Sequence, residues 1–171
     1  LVDTNLKRSA AEGEAVSLLE HTGFVRLELG PFVVLMDVGS VGPNYQPGHS
    51  HAGTLSLEVD ICGHRLIVNT GVTTYESGNA RSYERSTAAH TTVVINGRNS
   101  SDVWSSFRVG SRARIKSLKT GRTTTQCHVI AAHDGYSNLF NRIIHEREVS
   151  ISGTSLTIGD NVFGIAKSLV S

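Results

Sequence analysis

Leu55-Ser56-Leu57-Glu58-Val59-Asp60-Ile61-Cys62 alternates apolar and polar residues without a fault. That period of two belongs to a strand with one buried and one wet face. Gly63-His64 then offers a tight reversal, and Arg65-Leu66-Ile67-Val68-Asn69 reads as the antiparallel partner. Outward from this hairpin, short runs rich in β-branched and aromatic residues occupy 24–29, 32–38, 91–95, 113–119, 123–131, 142–150 and 155–161. Asn96-Gly97 and Gly121-Arg122 punctuate them as turns. Only 10–21 carries a helical pattern, weakened by Gly13, and residues 1–22 read as an irregular or short-helix lead-in. About nine or ten short strands at this spacing predict an all-β fold, an antiparallel two-sheet β-sandwich with a barrel as the alternative. Residues 71–89 are polar and aperiodic, which predicts a long excursion over one sheet, the kind of loop that carries function.

The chain has 171 residues, room for one domain, and we read 1–171 as a single β-domain. Lys plus Arg number 16 against 15 Asp plus Glu, so the net charge of +1 leaves no basic footprint for nucleic acid. The longest apolar run, 32–36, is far short of the roughly 20 residues that a membrane helix needs. The start, Leu1-Val2-Asp3-Thr4, has neither an initiator Met nor a signal-peptide core, so the chain is expected to begin inside a longer product. Cys62 and Cys127 are too few for a disulfide scaffold. Cys62 is expected as a packed or edge-strand thiol, with pairing to Cys127 left open.

Eight histidines are the richer signal. In Pro47-Gly48-His49-Ser50-His51 two of them stand at i and i+2, on one side of an extended chain. Carried forward, their parity is that of Leu55, Leu57 and Val59, which predicts that both face inward. An inward His pair must be hydrogen-bonded or bound to metal. Ser86-Thr87-Ala88-Ala89-His90-Thr91-Thr92 brings a third His into a strand, and His133-Asp134-Gly135-Tyr136 and His145-Glu146-Arg147 follow. Several His with one Asn or Asp form a donor set that zinc accepts. Packed or solvated histidines are the plain alternative.

Four of these blocks together resemble a known family. Pro47-Gly48-His49-Ser50-His51-Ala52 with Thr54-Leu55-Ser56, and then Leu66-Ile67-Val68-Asn69-Thr70-Gly71, resemble the signature of the heparinase II/III-like polysaccharide lyases. Arg85-Ser86-Thr87-Ala88-Ala89-His90-Thr91-Thr92-Val93-Val94 resembles that family's second block, and the His133 and His145 segments resemble two later ones in order. The resemblance implies a C-terminal antiparallel β-domain that follows an α/α toroid in the same chain. It also implies β-elimination on a uronic-acid polysaccharide, either a heparan-type glycosaminoglycan or alginate, with the isolated β-domain inactive. His49 then reaches the substrate cleft and Tyr75 stands near the substrate, as catalytic candidates. Arg81, Tyr83 and Arg85 are substrate-binding candidates, since Arg pairs bidentately with carboxylate or sulfate. His51 and His90 match two ligands of a structural zinc whose third ligand is usually Asp, where this chain has Asn69. Gly53 likewise stands where the family carries an acidic residue, and His133 and His145 are assigned structural roles.

The implied partner is an anionic polysaccharide, met in the periplasm or outside the cell, with neither nucleic acid nor membrane as a partner and homo-oligomerisation left open. Two rivals stand beside this reading. One is a non-catalytic carbohydrate-binding or structural β-domain of a degenerate lyase. The other is a cupin-type metalloprotein using Gly42, His49, His51, Glu58 and Gly63, although six residues separate His51 from Glu58 where a cupin motif has fewer.

Overall fold

The computed structural model describes residues 16–137 and 143–164. Its first sheet is the meander β1 (Val16–Leu19), β2 (Phe24–Leu29), β3 (Phe32–Asp37), β4 (Leu57–Ile61) and β5 (His64–Ile67), every neighbour antiparallel. A second meander of β8 (Ile115–Arg122), β9 (Gln126–Tyr136), β10 (Ile143–Ser152) and β11 (Leu156–Phe163) lies in the order β11-β10-β9-β8. Between them come the helix α1 (Asn79–Arg85) and a small hairpin of β6 (Val103–Trp104) and β7 (Arg108–Val109).

Strict alternation makes the sandwich. Val25 and Leu27 of β2, Val34 and Met36 of β3, and Leu57 and Val59 of β4 all point one way and are buried. They meet Cys127, Val129 and Ala131 of β9 and Val149 and Ile151 of β10 in one apolar core. Burying that many branched side chains, at about 1.5–3 kcal/mol each, is what drives the two meanders face to face. Between β4 and β5 the turn is Cys62-Gly63, both at positive φ (53° and 78°), the mirror-image turn that suits the twist of a hairpin.

Several expectations need correction. Residues 16–19, expected helical, form the edge strand β1 through pairing with β2; the rest of that expected helix up to residue 15 lies outside the described residues. Residues 91–95 form no strand, only an isolated Ile95–Arg98 bridge around the expected Asn96-Gly97 turn. Gly121 and Arg122 end β8 rather than turning, and the reversal falls one step later, where Thr123 N–H donates to the Gln126 carbonyl. Cys62 is exposed at its turn and Cys127 is buried in the core; both are free. No helix among the described residues is long and apolar enough to cross a membrane.

At one end the second sheet stops being apolar. On β10, inward-facing Ile151 and Val149 give way to Arg147 and His145, and on β9 Ala131 gives way to His133. Arg147 grips Asp160 of β11 with Nε and Nη2 at 2.8 and 2.9 Å. Its Nη1 crosses the sandwich to donate to the carbonyls of Leu55 (2.8 Å) and Thr91. That guanidinium therefore fixes both loops that carry the histidine motifs.

Candidate functional site

The site is built on loops at this polar end. Pro47 opens a single 3-10 turn, Pro47–His49, because its fixed φ suits a helical start and its missing N–H is not needed there. The chain is therefore not extended at His49, and the two histidines of the motif part company. His49 is exposed and meets the rings of Tyr75 and Phe107 edge-on at 5.4 and 5.5 Å. His51 turns inward, with its ring centroid 5.3 Å from that of His90. The expectation that both face inward fails at Pro47.

The excursion from residue 71 onward holds α1, and the helix explains where the arginines go. Arg81 and Arg85 are 0% and 1% exposed, not on a solvated loop face. Arg85 donates to four carbonyls, those of Ser50, Trp104, Ser105 and Arg108, at 2.9–3.1 Å. Four of its five N–H groups are thus engaged inside the protein, and Arg85, expected as a substrate contact, is instead the hub that ties the 3-10 turn to the β6–β7 hairpin. Arg81 donates from Nε to Ser106 O at 3.2 Å, lies 5.2 Å from the Tyr75 ring centre, and places Nη1 3.2 Å from His51 Nε2. Tyr83 points outward from α1 and is 56% exposed.

The motif residues after α1 knit the loops together. Thr87 Oγ1 donates to Ala52 O and accepts from Ser100 N–H, while Ala52 N–H donates to Arg85 O. Gly53 lies flat against the His90 imidazole; a Cβ there would sit 3.1 Å from two ring carbons.

His51, His90 and Asn69 do line one small polar pocket of about 160 Å³, together with Asp37. A guanidinium only donates, so His51 Nε2 accepts and its ring proton sits on Nδ1. Burial, then the neighbouring His90 and Arg81, push the His51 pKa down to about 4. Burial lowers that of His90, whose two ring nitrogens are buried without a hydrogen-bond partner. Burial also raises the Asp37 carboxyl to about 6, although Oδ1 accepts from Gly39 N–H. Asn69 Oδ1 accepts from Gly71 N–H at 3.0 Å. As arranged, the three expected zinc donors do not fit the ion: His51 Nε2 holds Arg81, Asn69 Oδ1 caps its own turn, and only His90 is free. No group of three or more His, Cys, Asp or Glu among the described residues is placed to hold a metal.

His133 and His145 form a separate chain whose proton positions are dictated. Gly135 N–H donates to His133 Nδ1, so His133 Nε2 carries the proton and donates to His145 Nδ1 at 3.1 Å. His145 Nε2 must then be protonated, and it donates to Asp160 Oδ1 at 2.7 Å. Both rings are neutral. Burial lowers both pKa values, that of His133 to about 3. Burial alone would raise the Asp160 carboxyl, but the hydrogen bonds from Arg147 and His145 outweigh it and hold it below its ordinary value.

Sequence reasoning missed Phe107, Asp37 and Arg147. Phe107 left a local trace, an aromatic residue between Ser-Ser and Arg-Val in an otherwise polar stretch, and Arg147 closes the His145 block without having been assigned a role.

Set beside known proteins, this architecture has clear relatives. No curated protein matches the chain. The crystal structure of heparinase III superposes over 88% of this chain and 23% of its own, with a TM-score of 0.67 at 19% identity, a likeness of fold. The model of the family described as heparinase II/III-like, C-terminal, matches residues 11–168. This chain therefore belongs to the heparinase II/III-like C-terminal domain family.

Proposed function

We propose that the chain is the β-domain of a polysaccharide lyase that cleaves a uronic-acid polysaccharide, heparan-type or alginate-like, by β-elimination. The α/α toroid that completes the cleft would lie elsewhere on the same polypeptide. The observation that carries this reading is the exposed rim where His49 and Tyr75 meet edge to face at 5.4 Å, above the buried Arg81 guanidinium.

The reaction removes the weakly acidic C5 proton, forms the C4–C5 double bond from that electron pair, and expels the C4 glycosidic oxygen, which takes up a proton. Two demands follow: the carboxylate on C5 must be neutralised as charge moves into it, and proton carriers must stand at C5 and at the leaving oxygen. An imidazole N–H from His49 suits the carboxylate, and the Tyr75 hydroxyl on the same rim suits proton transfer. Arg81 is buried, so it acts through its field: a fixed positive charge beneath the rim favours an anionic ring above it. Exposed Tyr83 supplies a flanking contact. No step runs through a metal. With half of the cleft, the isolated chain would bind glycan weakly and turn none over. Large polyanions of this kind place the enzyme in the periplasm or outside the cell.

The cupin reading requires His49 and His51 to share a metal, whereas their rings pack against different neighbours. The test uses the parent polypeptide with heparan sulfate and alginate. We expect ultraviolet-absorbing unsaturated uronate at the new non-reducing ends, and a loss of about 10²-fold or more in kcat for His49→Ala. Saturated ends, or full activity in His49→Ala, would sink the proposal. Binding with no cleavage would favour the degenerate, purely carbohydrate-binding domain.

A further inference from the structure

Phe107 has no place in the mechanism above, yet the fold goes to some length to display it. It sits at the tip of the β6–β7 hairpin, 47% exposed, with its ring near-parallel to Tyr75 (14°, centroids 6.1 Å apart). Tyr75 is 54% exposed, so both rings of this near-parallel pair keep surface open to solvent. Arg81, wholly buried, lies over both rings, with its guanidinium carbon 5.2 and 6.0 Å from their centres. His49 stands nearly perpendicular to both rings, 5.4 and 5.5 Å from their centres. Gly48 is buried beneath Phe107, where a Cβ would touch Phe107 Cβ at 3.4 Å.

The placement is rigid. The carbonyls of Trp104, Ser105 and Arg108, on either side of Phe107, are all held by the buried Arg85 guanidinium. An exposed phenylalanine with an anchored backbone has little conformational entropy left to lose on binding. The apolar face of a pyranose ring, with its axial C–H bonds, matches the negative face of an aromatic ring, and an aromatic floor edged by a hydrogen-bonding imidazole matches a sugar that carries a carboxylate.

We infer that Phe107 contacts substrate: together with Tyr75 it forms a stacking shelf for one sugar ring of the polysaccharide, aligned so that the ring's polar edge meets His49. The inference rests on the lyase reading and adds a residue and a contact chemistry to it.

The test titrates this chain with heparan sulfate and alginate oligosaccharides, following amide chemical shifts, which register weak binding. Phe107→Ala is expected to weaken the glycan that the natural chain binds by about tenfold. Phe107→Trp keeps affinity within about threefold, because stacking asks for an aromatic face and not for a particular ring. The salt dependence of Kd should be the same in both variants, since no charge is removed. Unaltered binding by Phe107→Ala overturns the inference and leaves the lyase reading standing. Equal loss in Phe107→Ala and Phe107→Trp also overturns it, as the mark of a disturbed hairpin. If the natural chain binds neither glycan, the shelf falls, while the lyase reading is decided by the products of the parent polypeptide.

Discussion

Gly53 lets the His90 imidazole lie against bare backbone, and this single missing side chain sets the shape of the pocket. An aspartate Cβ there would sit 3.1 Å from two ring carbons, so His90 would have to yield by a few tenths of an ångström. Asn69 makes the second departure: an amide oxygen is a poorer zinc ligand than a carboxylate, and here it is committed to Gly71 N–H. We expect added zinc to leave the melting temperature of the natural chain unchanged. Asn69→Asp should bind zinc at least about tenfold more tightly, seen as a zinc-dependent rise in melting temperature and in metal content by elemental analysis. About one zinc on the natural chain, with a drop in melting temperature on chelation, would mean instead that His51 releases Arg81 to take the metal. At this scale the motif was legible but its geometry was not. His49, His51 and His90 can be picked out as residue types, whereas Asn69 enters only through the family resemblance. That Pro47 winds the chain into a 3-10 turn and sends His49 to the rim is a local backbone event that a period-two count passes over.

The element that decides the site is α1, and it is also the element hardest to read. Its buried positions are Arg81, Glu84 and Arg85, spaced i, i+3 and i+4 as a helix requires, but all charged. Hydrophobic periodicity is blind to a helix whose inward face is held by hydrogen bonds, from Arg81 and Arg85 to carbonyls and from Thr73 to Glu84, instead of by apolar packing. The strands were legible for the opposite reason: β2, β3 and β4 bury apolar side chains at every second position, as do β9 over Cys127–Ala131 and β10 over Val149–Ile151. The same contrast accounts for residues 91–95, whose β-branched run promised a strand. Their hydrogen bonds go instead to the interior, from Thr92 Oγ1 to the Thr54 carbonyl and from Arg147 and the Tyr136 hydroxyl to the carbonyls of Thr91 and Val93. Because Arg85 serves four carbonyls through a planar fork, Arg85→Lys keeps the charge but cannot keep the geometry. We expect that variant to lose about 2–4 kcal/mol of stability. Faster amide exchange should concentrate in Val103–Trp104, Arg108–Val109 and the 3-10 turn. Uniformly faster exchange across both sheets would mean that Arg85 supports the whole sandwich and not the site loops.

Across the whole molecule, the sandwich is apolar through most of its length and polar at the end that carries the loops, joined by Arg147 and the His133–His145–Asp160 chain. This arrangement ties global stability to pH. Unfolded His133 titrates near 6.5 and the folded residue near 3, so between those values the unfolded chain binds a proton that the native one does not. Its contribution is therefore fully present above pH 6.5 and is lost as pH falls toward 3. His145, lowered by burial, acts in the same direction. Asp37 runs the other way: its folded pKa of about 6 lies above the unfolded 3.8, so it favours the native state increasingly as pH falls through that window. One carboxyl opposes several histidines, and the net expectation is a melting temperature that falls steadily below pH 6.5. Each histidine contributes at most about 1.4 kcal/mol per pH unit. His133→Asn keeps polar atoms in the same space and removes the titration. It should melt lower than the natural chain at pH 7, where a buried hydrogen bond has been disturbed, and should lose less between pH 6.5 and 4. Parallel profiles for the two proteins would place the acid sensitivity elsewhere, in carboxylates such as Asp160 whose ionised form Arg147 holds in place.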